Sequence, residues 1–333
     1  MDTKIYHDED ADLGVLKGKK IAVLGYGAQG RAQALCYRDS GLDVIVGVRE
    51  NGASWNKAKE DGGMKVTTMD KAAAEGDVVM MLLPDEIQPE IYDQYVKDNI
   101  KSGAALEFAH GFAITYKLIV PPKDIDVIMM APKAPGDAER QQFVEGFGVP
   151  ALIAVHQDHS GKAKDIALAL AKAMGCTRAG TFQVDNFDLE TKSDLFGEQS
   201  IECGGLSKLI EEGFNTLVAK GFPPIVAYFE CCHECKLIID LVVKGGMPYM
   251  WNVCSNTAKY GGLTRRDLII TDESVKGMQK VYDMIESGEF KKEWRAEYEQ
   301  NHLAKLHALM DADSKTLLET TGKEVRALFE RKN

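Results

Sequence analysis

The stretch from Lys19 to Gly30, KKIAVLGYGAQG, narrows the fold more than any other part of the chain. A short apolar run enters Gly25-x-Gly27-x-x-Gly30, and helix-forming residues begin near Arg31. In a strand, turn and helix of this kind the first Gly makes the sharp bend and the second lets a pyrophosphate approach the backbone. The third lets the helix pack on the strand. The start of that helix presents unpaired N–H groups and the positive end of its dipole to an anion. The pattern predicts an α/β dinucleotide-binding domain of Rossmann type, doubly wound around a parallel sheet.

Further βα units follow at the expected spacing. Asp43 to Val48 reads as the second strand, and its end carries Arg49, Glu50, Asn51, Gly52, Ala53, Ser54 and Trp55. An acidic residue there would hold a ribose 2′-OH and favour NAD, whereas Arg with hydroxyl donors would accept the 2′-phosphate of NADP. This loop has both: Arg49 and Ser54 suit a phosphate, and Glu50 suits a ribose hydroxyl or bulk solvent. Apolar runs at Asp77 to Leu83, Ala104 to Ala109 and Asp126 to Met130 end in Pro84-Asp85-Glu86, His110-Gly111 and Ala131-Pro132-Lys133. Those ends line the ligand crevice of such a sheet, so His110 and Lys133 project to where nicotinamide and substrate meet. Val149 to Val155 reads as another strand and Gly161 to Met174 as an Ala-rich helix. The TFQVDNF stretch after Gly180 reads as an edge strand, with a domain boundary near residue 183.

Two domains are expected of 333 residues, 1–183 and 184–333. Past the boundary helical periodicity dominates: Asp194 to Phe214, Pro224 to Lys244, Ser274 to Glu286, Glu289 to Met310 and Ser314 to Arg331 read as helices. Gly245-Gly246-Met247-Pro248 should stop the second of them. Trp251 to Gly262 reads as loop-like, with Ser255 able to bond a substrate carboxylate or hydroxyl, or simply to cap a turn.

The helical half also holds two acidic pairs at helical spacing, Asp194 with Glu198 and Glu230 with Glu234. Carboxylates four apart share a helix face and repel by about 0.2–0.5 kcal/mol even when exposed. Such pairs are common on solvated faces. Here they sit among Leu195, Phe196, Ile201, Phe229 and Leu237, and a cation is the simplest compensation. All-oxygen donors suit two Mg2+ or Mn2+ ions rather than zinc. Cys231, Cys232, His233 and Cys235 lack the paired knuckles of a zinc site and read as core thiols.

Composition excludes other classes. A net charge of -11 argues against duplex nucleic acid and anionic membrane as partners. No apolar leader follows a basic start, and Val78 to Leu83 is far short of a bilayer span. Seven Cys, an odd number in a chain with a sizeable core, fit free thiols in the cytoplasm.

In order along the chain, GYGAQG (Gly25 to Gly30), VGVR…SW (Val46 to Trp55), LLPDEIQ (Leu82 to Gln88), EFAHGF (Glu107 to Phe112), APKAPG (Ala131 to Gly136), DLFGEQ (Asp194 to Gln199), AYFECCHE (Ala227 to Glu234) and SNTAKYG (Ser255 to Gly261) resemble ketol-acid reductoisomerase, in its short class I form. The resemblance implies a Mg2+-dependent alkyl shift in 2-acetolactate or 2-aceto-2-hydroxybutyrate, followed by reduction with NADH or NADPH, in valine and isoleucine biosynthesis. It implies metal ligation by Asp194, Glu198, Glu230 and Glu234, a catalytic role for His110 and substrate contact from Ser255. Cofactor contacts would come from Tyr26, Gly27, Ala28, Gln29, Arg49, Ser54, Asp85, Glu86, Ile87, Gln88 and Gly136. Lys133 and Glu230 are read as catalytic alongside His110. The helical domain should be knotted, and the site shared across a homodimer or higher homo-oligomer.

Two positions depart from the family pattern. Gly52 stands where similar sequences commonly have a second phosphate-holding Ser, which predicts that NADH is used well; Ala134 stands where Gly is usual. The alternatives are a metal-free β-hydroxyacid dehydrogenase with Lys133 as acid/base, and a thiol-responsive nucleotide sensor.

Overall fold

The structure, a computed structural model, describes residues 3–329. It divides into two compact units, the first ending at Ser193 and the second beginning at Asp194. The first unit is built on nine strands: β1 (Ile5–Tyr6), β2 (Lys20–Leu24), β3 (Asp43–Gly47), β4 (Lys65–Thr67), β5 (Val78–Met81), β6 (Ala105–Phe108), β7 (Asp126–Pro132), β8 (Ala151–Gln157) and β9 (Thr181–Gln183). They form one sheet in the order β1-β9-β8-β7-β6-β5-β2-β3-β4. From β2 the chain winds outward through β3 and β4, then crosses to β5, β6 and β7 on the other side. The order therefore reverses beside β2, and a crevice opens there at the carboxyl ends of the strands.

Both faces of this sheet are buried, which is why its strands read as continuous apolar runs. Alternation divides β2 cleanly: Ile21 and Val23 join one core with Val46, Met80, Ile128 and Met130, while Ala22 and Leu24 join the opposite core with Ile45, Met81, Leu106 and Phe108. Each such side chain larger than Ala contributes about 1.5–3 kcal/mol when fully buried. Helices α1 (Ala28–Asp39), α2 (Ala53–Asp61), α3 (Met69–Glu75), α4 (Gln88–Ile91), α5 (Phe112–Thr115), α6 (Gly136–Val144), α7 (Ala163–Ala173) and α8 (Cys176–Ala179) belong to this unit.

Strands β2 to β7 are parallel, as the sequence predicts. The last part of the sheet differs. Strand β8 is antiparallel to β7, because α6 packs on α1 and the chain re-enters at the end it left, with Lys133 N–H donating to the Pro150 carbonyl at 2.8 Å. Strand β9 is not an edge: β1 pairs outside it, and the Tyr6 hydroxyl donates to Gln183 Oε1 at 2.7 Å. A two-residue strand has no period to read.

Helix α9 (Phe187–Gly197) leads to α10 (Gly205–Ala219), α11 (Pro224–Tyr228), α12 (Glu234–Val253), α13 (Asn256–Ile269), α14 (Asp272–Glu286), α15 (Glu289–Asn301), α16 (Ala304–Ser314) and α17 (Leu317–Phe329). Two stretches of wide, π-type turn interrupt this series, at Glu198–Glu202 and at Phe229–His233. The stop at Gly245-Gly246 is present, with φ of -154° and +76°, but helix resumes beyond it. Trp251 to Gly262 is not a loop: it holds the end of α12 and the first half of α13, which the Gly-rich sequence concealed. The single helix expected over Glu289 to Met310 is broken where His302 and Leu303 take positive φ. The last positions of the helix expected to reach Arg331 lie outside the described residues.

The second unit has a thin interior. Phe214, Ala227, Tyr228 and Val325 form its buried cluster, while Leu237, Ile238, Ile239 and Val243 on α12 and Leu268 on α13 lie exposed. No helix among the described residues is long and apolar enough to cross a membrane.

Candidate active site

The three glycines of the turn after β2 do separate work. Gly25 has φ +95°, and a Cβ there would sit 2.4 Å from the Leu82 carbonyl oxygen on β5's exit. At Gly30 a Cβ would fall 2.5 Å from the Gly25 oxygen, so both positions need the bare backbone. Gly27 differs: it begins α1 with no side-chain cap, and a Cβ there meets nothing within 4 Å. Open space at this position, at the start of a helix, fits the approach of a pyrophosphate. Gly136 closes the cradle from α6, where a Cβ would lie 2.3 Å from the Ala28 oxygen. Gln29 ties the two together by donating from Nε2 to the Ala134 oxygen at 3.1 Å.

Tyr26 contributes backbone to the turn but turns its ring into the core, its hydroxyl donating to Asp61 Oδ2 at 3.0 Å. Asp61 also takes a two-pronged contact from Arg31 at 2.7 and 3.0 Å, and chiefly this guanidinium holds its carboxyl down to about 2. In the loop after β3, Arg49 and Glu50 are exposed, Asn51 takes φ +59°, and Gly52 begins α2. After β5, Gln88 is buried and donates from Nε2 to the Leu83 oxygen at 2.9 Å and Asp85 Oδ1 at 3.2 Å. It thereby fixes the Asp85-Glu86-Ile87 turn beside the crevice.

The chemistry-bearing side chains of the first unit meet on one residue that the sequence reading missed. Glu190 on α9 is 1 % exposed. Its Oε1 accepts from Lys133 Nζ at 2.7 Å, and its Oε2 lies 3.2 Å from His110 Nδ1 and accepts the Gly111 N–H at 3.3 Å. Burial pushes the Glu190 carboxyl up, but His110 and then Lys133 outweigh it and hold the group below the usual carboxylate range. An anion at Nδ1 favours the tautomer protonated there, leaving the lone pair on Nε2. His110 Nε2 lies 3.9 Å from Asp85 Oδ2. The arrangement is an oriented imidazole beside an ammonium group, at neighbouring strand ends two and three strands from the glycine turn. The legible signal was spacing: Glu190, Asp194 and Glu198 recur every four residues.

The two acidic pairs of the second unit share a local design. Asp194 lies on α9 and Glu198 opens one π-type turn; Glu230 lies in the other π-type turn and Glu234 opens α12. Such wide turns concentrate at functional sites. Phe229, Cys231 and Cys232 face the small core, so Glu230 and Glu234 are exposed. These two carboxylates make no hydrogen bond or ion pair among the described residues, a donor set that suits a hard cation. Within the second unit no three His, Cys, Asp or Glu donor atoms of the described residues gather within 4.8 Å. All seven Cys are free thiols, and burial pushes those of Cys231 and Cys235 up, away from the thiolate a zinc site needs. Ser255 caps α13, its Oγ accepting the Ala258 N–H at 3.2 Å, which leaves its proton to donate.

Two family models match the chain in succession, so Glu190 falls within the second of them. Residues 15–180 match the family model described as "Acetohydroxy acid isomeroreductase, NADPH-binding domain", and residues 187–331 match "Ketol-acid reductoisomerase, C-terminal domain". The ketol-acid reductoisomerase (NAD(+)) of uncultured archaeon GZfos26G2 is 51% identical over 99% of this chain and 100% of its own. The ketol-acid reductoisomerase (NADP(+)) of Methanocaldococcus jannaschii is 48% identical over 98% of each. A solved NADH-preferring ketol-acid reductoisomerase from an uncultured archaeon superposes with a TM-score of 0.95 at 50% identity, covering 98% of this chain and all of that one. With the glycine cradle, the Glu190-anchored imidazole and ammonium, and both family halves in register over its length, the chain belongs to the ketol-acid reductoisomerase family.

Proposed function

We propose that this chain converts 2-acetolactate and 2-aceto-2-hydroxybutyrate to 2,3-dihydroxy-3-methyl acids, with two Mg2+ and a nicotinamide dinucleotide, in the cytoplasm. The observation that carries the reading is the single buried carboxylate of Glu190, which holds His110 and Lys133 at the crevice end of the sheet. When bound, the ions supply charge stabilisation for the alkyl shift and polarise the ketone, and the dinucleotide supplies the hydride. Asp194, Glu198, Glu230 and Glu234 would hold the ions. His110 Nε2 would accept and return a proton at the substrate hydroxyl. Lys133 would donate to a substrate oxygen, its charge kept in place by Glu190. The Ser255 hydroxyl would donate to the substrate carboxylate.

The pyrophosphate would sit on the Gly27, Ala28 and Gln29 backbone against Gly136, and the adenosine end would meet Arg49, Glu50 and Ser54. Gly52 offers no side chain to a 2′-phosphate, and Glu50 stands exposed for a ribose hydroxyl, so NADH is the better-used cofactor. The NAD(+) naming of one close relative and the NADH preference of the solved one support this. The exposed apolar side chains of α12 and α13 support a homodimer, in which a partner's acidic pair would complete each metal site and the helical unit would take the family's knotted path.

Chelation tests the reading. Enzyme stripped with EDTA should lose both isomerisation and reduction and regain them with Mg2+, and Glu230→Gln should lose both without recovery. Turnover that survives chelation would identify a metal-free hydroxyacid dehydrogenase instead.

A further inference from the structure

Two further buried carboxyls lie in the sheet core behind the glycine turn, where the proposed chemistry makes no use of them. Glu107 on β6 is fully buried and Glu139 on α6 is 1 % exposed. Alternation along β6 puts Glu107 on the sheet face covered by α1, α6 and α7. Met130 N–H donates to Glu107 Oε1 at 3.3 Å, while among the described residues Glu107 Oε2 and both oxygens of Glu139 have no well-formed hydrogen bond. Unpartnered buried carboxyls are expensive, and far more so when charged.

The groups around Glu139 offer it no cation. Among the described residues, α1 supplies Gln29, whose side chain lies near it, and then Cys36 and Tyr37, and α8 supplies Cys176. Its neighbour Arg140 on α6 is turned away, to Asp39 and to Cys36 Sγ at 3.8 Å. Asp137, on the first turn of α6, faces Arg31. Amides continue from Glu139 towards the core: Gln33 Nε2 donates to Gln29 Oε1 at 3.2 Å, and the Tyr37 hydroxyl donates to Gln33 Oε1 at 3.3 Å. Gln29 is a residue of the dinucleotide turn, and its Nε2 also grips the Ala134 oxygen.

We propose that Glu139 is a positioning residue for the dinucleotide turn that works only as the neutral acid, so that affinity for nicotinamide dinucleotide falls as this one carboxyl ionises. A charge at Glu139 needs water, and water reaches it only if α6 parts from α1. Those helices touch backbone to backbone where Gly136 meets Ala28, inside the phosphate cradle. Hydrating Glu139 therefore loosens the surface that holds the pyrophosphate. Burial pushes the Glu139 carboxyl up to about 7, against a small opposing pull from Gln29, so the transition falls near neutrality. Burial also pushes Glu107 well above the usual carboxylate range.

The test is the dissociation constant of NADH, followed by fluorescence across about pH 6 to pH 8.5. NADPH is avoided because its 2′-phosphate titrates near pH 6 itself. In the wild-type protein Kd should rise above the midpoint by up to about tenfold per pH unit. In Glu139→Gln, which keeps shape and neutrality, Kd should stay at the wild-type low-pH value throughout. Infrared difference spectra of the dinucleotide-free protein should show one protonated-carboxyl band lost over the same range in wild type and absent in the variant. Parallel rises of Kd in both proteins, or a flat wild-type profile, would overturn the proposal. So would a carboxyl spectrum identical in the two, whatever the variant's thermal stability.

Discussion

Glu190→Gln separates the role of the bridging carboxylate from simple packing, because the substitution keeps volume and one acceptor while deleting the charge. In the wild-type structure the carboxylate takes one short bond from Lys133 at 2.7 Å and two longer contacts, from His110 at 3.2 Å and Gly111 N–H at 3.3 Å. Breaking a fully buried ion pair costs about 3–5 kcal/mol. Lys133 keeps 33% of its side chain in solvent, so the loss should fall nearer that of one charge-assisted hydrogen bond, about 2 kcal/mol. Turnover should suffer more than stability. A glutamine at this place can donate to Nδ1 as well as accept from it, so the imidazole loses its fixed tautomer and kcat should drop by about 10²–10⁴. NADH affinity should hold, since the hydrogen-bond partners of Glu190 among the described residues, His110, Gly111, Lys133 and Ser193, lie outside the glycine turn. The pH dependence has a definite sign. The Glu190 carboxyl lies below its unfolded value in the folded protein, so its stabilisation is complete above about pH 4.3 and is lost as pH falls through the lower, folded value. The variant should therefore show a flatter acid limb in thermal melts. A folded Glu190→Gln enzyme with kcat within about threefold of wild type would refute the assignment of His110 orientation to this residue.

The glycine turn allows a paired comparison. Gly27→Ala should leave the melting temperature unchanged yet weaken NADH binding by at least about tenfold, since a Cβ there meets only the space the pyrophosphate would use, whereas Gly25→Ala should destabilise the fold because its Cβ meets the Leu82 carbonyl at 2.4 Å. Calorimetric melts and NADH titration of the two variants distinguish these outcomes. Gly52→Ser should shift the ratio of kcat/KM towards NADPH by about tenfold, the worth of one charge-assisted hydrogen bond at the low end of its range. Its Cβ would pass 3.3 Å from the Arg49 oxygen, close enough to need only a small adjustment. Steady-state kinetics with each cofactor at matched concentration check it.

What could be read in advance followed the range of the interactions involved. Strands β2, β3, β5, β6 and β7 declared themselves through apolar runs ended by Gly, Pro or polar residues, because burial on both faces of a sheet demands such runs. Strands β1 and β4 are too short to carry a period, and the reversal of β8 depends on how α6 packs against α1, which is a tertiary matter. Helix α13 was hidden because Gly261 and Gly262 lower its propensity, and a Cβ at Gly262 would meet the Trp251 ring at 3.0 Å, so packing selects the glycine. Glu190 illustrates the same limit at the site. Its spacing from Asp194 is local and visible, but its partners His110 and Lys133 lie 80 and 57 residues away.

The two units stabilise themselves by different means, and this bears on how the proposed metal site is assembled. The dinucleotide cradle sits on a sheet covered on both faces, where Gly25, Gly30 and Gly136 are locked by backbone contacts, so its geometry exists before any ligand arrives. The acidic pairs sit on helices whose buried cluster comprises four residues, while apolar side chains such as Val243, 82% exposed, and Leu268, 74% exposed, face outward. A surface of that kind is rare on a protein that works alone. Clustered carboxylates repel, so on the proposed reading a second copy that covers the apolar face would gather acidic pairs at a cost that only a divalent cation offsets. Association and ion binding then become linked equilibria, each raising the affinity of the other by the same factor. On that reading the sheet unit can be rigid independently of metal, whereas the helical unit would depend on the concentration of both partner and Mg2+.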